Sequence, residues 1–262
     1  MYGIDVSAYQ KGIMGVDGGF EFVFIKATEG TSYISKSLGD FTRTYKMMEK
    51  LIGYYHFARP DLFSTPAGAE QEADFFIKVI DNLGMLGKSL LVLDWEKEPV
   101  NRYDLAVTFL ERVKSKTGIT PFIYASKYLV ESGDFQRNLS QYPVWMAAWI
   151  TGNYYAGEKI YIPRNLELNT MWSILQYSSS GKIRDGNQNV NVDLNYSRLT
   201  KTQWERLCKP VSMDETINEY MKWAIDTGLF SGYSDGLYHP KDPLTREQAA
   251  TILYKFKTLL EK

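Results

Sequence analysis

The 262-residue sequence has one cysteine, two histidines, no apolar run of ten residues and no surplus of charge of either sign. Each shortage excludes something. Cys208 stands alone, so no intramolecular disulfide can form and packing must hold the fold, as suits a chain made in a reducing cytoplasm. His56 and His239 have no Cys or second His at ligand spacing, so no metal site and no cofactor are expected. The apolar runs fall far short of the ~20 residues a membrane span needs. Met1-Tyr2-Gly3-Ile4-Asp5 lacks a basic segment followed by an apolar one, so no secretory leader is expected either. With 30 basic and 31 acidic residues, no global field favours nucleic acid or an anionic membrane.

What is present is apolar and aromatic: 44% hydrophobic and 15% aromatic residues suffice for one large core plus a small appendage. Eight short β-rich runs with polar ends recur at 2–7, 22–28, 51–57, 89–96, 121–126, 144–149, 173–178 and 189–195. Helical patterns lie between several of them. Segment 70–83 is one, and 103–116 is another, with Leu105, Phe109, Leu110 and Val113 in a stripe and Gly118 as its stop. After Pro121 the connections become too short or irregular for full helices. The pattern predicts an α/β fold: an irregular (β/α) barrel of eight strands with incomplete helical decoration, over residues 1–200.

Barrel enzymes carry their chemistry at the carboxyl ends of the strands. Here those ends are acidic: Asp5 on the first run, Glu29 after the second, Asp94 and Glu96 on the fourth and Asp193 on the eighth. In Asp94-Trp95-Glu96 the carboxylates occupy positions i and i+2, which in a strand share a face about 6.6 Å apart. Paired carboxylates suit acid catalysis at a glycosidic bond.

From about residue 201 the pattern changes. Residues 201–212 read as a linker and 213–262 as a small α-helical module. Asp214 can cap a helix with Ile217, Tyr220, Met221, Ala224 and Ile225 on one face and Gly228 as its end. Gly232-Tyr233-Ser234-Asp235-Gly236 reads as a turn. Thr245-Arg246-Glu247-Gln248 is a capping box opening a helix with Ala249, Ile252, Leu253, Phe256 and Leu260 inward. So small a unit should lean on the barrel or on another copy of itself. Met213 is placed where an internal translation start would yield the module alone.

Five ordered motifs resemble the glycoside hydrolase family 25 muramidases, or Chalaropsis-type lysozymes. They are Gly3-Ile4-Asp5-Val6-Ser7 with Tyr9-Gln10, Ile25-Lys26-Ala27-Thr28-Glu29-Gly30, Gly53-Tyr54-Tyr55-His56-Phe57, Leu93-Asp94-Trp95-Glu96 and Val192-Asp193-Leu194-Asn195. The resemblance implies the same irregular barrel and hydrolysis of the β-1,4 bond after N-acetylmuramic acid in peptidoglycan. The tail resembles one S-layer homology module through Trp223-Ala224-Ile225, the Gly232–Gly236 segment, Tyr238, Pro240 and Leu244-Thr245-Arg246. That implies secondary cell-wall polysaccharide as a further partner and association of two or three chains through the tail.

Within that frame Glu96 is the expected general acid, its proton retained by like charge and partial burial. Asp94 would orient the 2-acetamido group of the muramic acid for substrate-assisted attack with retention; an inverting route, in which a carboxylate activates water, stays open. Asp5 would stabilise positive charge in the transition state, and Asp193 would tune the acid. Glu29, Tyr55, His56, Tyr124, Trp149 and Tyr177 are the substrate-binding candidates, the aromatics as sugar-stacking surfaces. Arg246 would pair with an anionic group of the wall polymer. The expected setting is a phage endolysin held in the host cytoplasm until lysis. A bacterial autolysin, a spore-associated lysozyme and an inactive wall-carbohydrate-binding protein are the alternatives.

Overall fold

A computed structural model describes residues 1–10, 19–185, 188–210, 219–230 and 244–260. The chain divides into two compact units, Met1–Pro210 and Val211–Lys262.

In the first unit the order is β1 (Tyr2–Val6), β2 (Phe22–Glu29), the short β3 (Tyr33–Ile34), α1 (Leu38–Met47), β4 (Leu51–Phe57), α2 (Pro66–Asn82), β5 (Leu90–Asp94) and α3 (Tyr103–Thr117). There follow β6 (Phe122–Ser126), α4 (Lys127–Val130), α5 (Gly133–Leu139), β7 (Val144–Ala147), α6 (Arg164–Glu167), β8 (Ile174–Asp185), β9 (Gln188–Ser197) and α7 (Lys201–Leu207). The sheet runs β1-β9-β8-β7-β6-β5-β4-β2-β3, and a β1–β2 pairing closes it. Eight strands form the barrel, and β3 hangs outside as a hairpin on the end of β2. All eight expected runs are strands.

The irregularity is local and has visible causes. From β2 through β8 the barrel neighbours are parallel, each returned by a crossover, and in the second half these shrink to the four-residue α4 with the seven-residue α5, and then to the four-residue α6. The last two strands are joined directly, so β9 is antiparallel to both β8 and β1.

Two apolar layers result. Phe22, Phe24, Val92, Phe122, Trp145 and Ile174 fill the barrel interior, with Phe24 stacked on Trp145 at 4.2 Å between centroids. Gly3 and Gly53 make room for these rings: a Cβ would come within 2.3 Å of Phe22 and 2.2 Å of Phe24 respectively. On the outer faces, Val23, Ile25, Leu91 and Leu93 pack under Phe76 of α2 and Phe109 of α3. Both predicted helices form. Thr65 caps α2, and Gly118 ends α3 at φ 70°.

The expected linker at 201–212 requires correction. Its first part is α7, opened by a Thr200–Gln203 capping box. Trp204 of α7 is buried against Phe22 and Phe24, at 4.9 and 5.5 Å between centroids. The barrel unit therefore runs to Pro210.

The second unit contains α8 (Glu219–Asp226) and α9 (Arg246–Leu260). Gly228 follows α8 at φ 73°, and Thr245 and Gln248 form the reciprocal capping box at the start of α9. The inward stripe expected on α9 is only partly covered: Ile252 is half-buried, while Leu253 is 68% exposed. Trp223 and Phe256 meet edge to face. Asp214, Ile217, Met213 and the 232–236 turn lie outside the described residues. Among the described residues, no helix is long and apolar enough to cross a membrane.

Candidate active site

The carboxyl ends of the barrel strands surround a cavity of about 190 Å³ lined by Asp5, Tyr55, Asp94, Glu96, Tyr124, Trp145, Trp149, Gln176 and Asp193. Strand parity selects these residues. Tyr55 points inward from β4, so its neighbour His56 must point outward, and Gln176 and Tyr177 on β8 are divided in the same way. All four expected catalytic carboxylates converge on this cavity.

Asp5 and Asp193 are directly opposite each other in the β1–β9 register, an arrangement that ordinarily destabilises a sheet. Gln176 holds them. Its Nε2 donates to Asp5 Oδ2 and to Asp193 Oδ2, both at 3.1 Å. Its Oε1 accepts from the Tyr124 hydroxyl at 2.9 Å and from Trp149 Nε1 at 3.2 Å. The reversed amide would turn its oxygen toward two carboxylates, so the network fixes one orientation. Buried Asn195 adds a donor to Asp5 Oδ2 at 2.8 Å and accepts from Trp145 Nε1 at 2.8 Å.

Burial and like charge dominate the electrostatics. Desolvation and the Asp193 charge raise Asp5 to about 8, against the opposing hydrogen bonds of Asn195 and Gln176. Desolvation and Glu96 raise Asp193 to about 6. Asp94 is pushed well above the usual carboxylate range by burial and then by Glu96, with Lys26 opposing. Its Oδ1 is buried and has no hydrogen-bond partner among the described residues. Glu96 is also raised by desolvation against Lys26, although water reaches it at the mouth. These groups titrate together, and the cluster retains protons near neutral pH.

The carboxylate pair differs from the expected strand geometry. β5 ends at Asp94, and Glu96 lies past it, after Trp95 has turned outward and donated Nε1 to the Val100 carbonyl. The backbone N–H of Trp95 still bonds the Tyr124 carbonyl at 2.9 Å, which keeps the segment against β6.

The binding candidates divide. Tyr55, Tyr124 and Trp149 line the cavity. Trp149 is 66% exposed, its edge tied to Gln176 and its ring left accessible. His56, Tyr177 and Glu29 are not in the lining. His56 is fully buried outside the barrel wall, between Thr28 (Nδ1 to Oγ1, 2.8 Å) and Glu72 (Nε2 to Oε1, 3.3 Å), and stacks on Phe109. Burial lowers its pKa despite Glu72, so it is a neutral structural group. Tyr177 faces the outer layer edge-on to Tyr154. Glu29 is tied to Lys26 at 2.8 Å and Arg59 at 2.9 Å. Burial would raise its pKa, but these two partners outweigh it and hold it low. Arg246, the first residue of α9, is exposed.

Sequence reasoning missed Gln176, Asn195 and Trp145. The available signal for Gln176 was a polar residue two positions after the inward Ile174, at the end of the apolar start of the strand, Ile174-Leu175-Gln176.

Convergent carboxylates at the mouth of an irregular barrel, walled by aromatic rings, define a glycoside hydrolase. Residues 4–186 match the glycosyl hydrolases family 25, and the chain belongs to that family; residues 211–250 match the S-layer homology domain. Lysozyme M1 of Streptomyces globisporus is 31% identical over 214 residues, which cover 74% of this chain and 66% of that protein. The N,O-diacetylmuramidase of Chalaropsis is 31% identical over 193 residues, 65% of this chain and 85% of that one. The CTP1L endolysin, whose activity is regulated by a secondary translation product, superposes with a TM-score of 0.54 at 20% identity. That match covers 100% of this chain and 99% of the endolysin, and at such identity it speaks for the fold alone. The chain is thus a glycoside hydrolase of the lysozyme and muramidase class.

Proposed function

We propose that the chain cleaves the β-1,4 bond between N-acetylmuramic acid and N-acetylglucosamine in peptidoglycan, with retention of configuration. The observation that carries this reading is Asp94: a buried carboxylate with an unsatisfied oxygen, in the same small cavity as Glu96. An unsatisfied buried acceptor is costly, and the N–H of a 2-acetamido group supplies the missing donor. The sugar is thereby held with its acetamido carbonyl oxygen beneath the anomeric carbon. Glu96 gives its proton to the departing glycosidic oxygen while that carbonyl oxygen bonds to the anomeric carbon. Water then opens the resulting ring and returns a proton to Glu96. Asp5 and Asp193, joined through Gln176, offset positive charge at the reacting carbon, and Tyr55, Tyr124 and Trp149 receive sugar faces.

The stereochemical test is NMR of the first products. A β-anomer that later mutarotates supports the substrate-assisted route, and an initial α-anomer overturns it.

We further assign the protein to the endolysins, accumulating in the host cytoplasm and acting on the wall at lysis. The wall-directed S-layer homology domain supports this. Expression in a Gram-positive host should leave cells intact until the membrane is permeabilised; wall cleavage without permeabilisation points to an exported autolysin. The tail is proposed to bind secondary wall polysaccharide through Arg246 and to join two or three chains. Met213, at the head of a segment that could stand alone, is proposed as an internal translation start. An immunoblot against the carboxyl terminus should then reveal a tail fragment beside the full chain, and a single full-length band contradicts it.

A further inference from the structure

One inward position beside the acids carries a cation. Lys26 is opposite Tyr55 in the β2–β4 register, and paired residues on adjacent strands share a face. Tyr55 lines the cavity, so Lys26 is directed into the barrel. Its side chain is only 18% exposed. Nζ lies 4.5 Å from the centroid of the Phe57 ring, and Phe57 is the β4 partner of Asp94. Nζ also lies 5.7 Å from the Tyr33 ring and donates to Glu29 Oε2 at 2.8 Å.

Lys26 does not itself line the cavity, so it has no direct purchase on a sugar there. It does reach the acids through space: its charge opposes the rise in pKa of both Asp94 and Glu96. The ammonium begins an alternating chain. Glu29 Oε1 accepts from Arg59 at 2.9 Å, and Arg59 forks onto Asp61 at 2.9 and 2.8 Å. The other titratable groups around the Asp94–Glu96 pair are Asp5 from β1, Tyr55 from β4, Tyr124 from β6 and Asp193 from β9, while the neutral His56 lies on the outer side of β4.

We infer that Lys26 is a positioning residue for cleavage: its ammonium, seated between Glu29 and the Phe57 ring, sets how many protons the Asp94–Glu96 pair holds and hence the pH window of activity. The inference rests on the roles given above to those two acids. The lining of the cavity carries no cation of its own, so the fixed charge of Lys26 beside it governs which acid is ionised. Glu29 limits that effect by neutralising part of it.

The test uses opposite charge changes. Lys26→Met should move both limbs of the kcat/KM profile on peptidoglycan upward by roughly one pH unit. Lys26→Arg should restore the parent profile, and Glu29→Gln should move both limbs downward. The carboxyl carbons of Asp94 and Glu96, followed by NMR titration, should shift in the same two directions. That readout is independent of turnover, so failure of the muramidase reading and failure of this inference are distinguishable. If Lys26→Met does not fold, Glu29→Gln and Lys26→Arg decide alone. Limbs and carboxyl titrations that stay in place while only KM changes, or that move the same way in Lys26→Met and Glu29→Gln, overturn the inference.

Discussion

Gln176 satisfies four partners with one amide, and its loss should be felt in two ways. Gln176→Leu leaves Asp5 and Asp193 without their shared donor and the Tyr124 and Trp149 donors without an acceptor. Asp5 and Tyr124 are buried, and each buried group left unsatisfied costs about 1–3 kcal/mol, so thermal unfolding should show a clear loss of stability along with a fall in kcat/KM. Asp5 makes a second prediction. Its folded pKa of about 8 lies above the unfolded 3.8, so folding favours the protonated form. The stability that this contributes is complete below pH 3.8 and is lost as pH rises toward 8. Asp5→Asn should therefore unfold at a higher temperature than the parent at pH 8, with the difference vanishing at acid pH, while activity falls. A parent as stable at pH 8 as its variant would contradict this. At this scale the sequence identified every carboxylate of the site. It did not reveal strand phase, which is why His56 and Tyr177 stood as candidates beside neighbours on the opposite face.

Among the elements, the strands were legible because each short apolar run is bounded by polar or turn residues, and α2 and α3 because their apolar stripes are regular and capped. Two features were not legible. The strand β5 stops at Asp94, two residues before Glu96, where the Trp95 ring leaves to donate to the Val100 carbonyl. The helix α7 looks polar in sequence, and its buried residues, Trp204 and Leu207, pack with strand residues distant in the chain. Trp204→Ala should cost about 3–5 kcal/mol. A chain ending at residue 200 should lose cooperative unfolding, while one ending at Pro210 should keep it; equal behaviour of the two truncations would refute the role given to α7.

The whole molecule joins a barrel with its own core to a smaller unit whose α9 leaves Leu253 and Tyr254 exposed. Association of two or three chains through the tail, expected from its resemblance to a single S-layer homology module, would cover that surface. Light scattering at micromolar concentration should give more than the monomer mass, and a monomer counts against it. Arg246→Ala should weaken retention on wall fragments without altering cleavage of soluble glycan.

The molecule's chemistry comes down to which bond is cleaved and which acid breaks it. Purified peptidoglycan should be digested with the parent and with Glu96→Gln, the products reduced, and the sugar at each new reducing end identified by mass spectrometry. Reduced muramic acid is expected from the parent, with a fall of about 10²–10⁴-fold in its formation by the variant. Reduced glucosamine, no new ends, or undiminished cleavage by Glu96→Gln would contradict it.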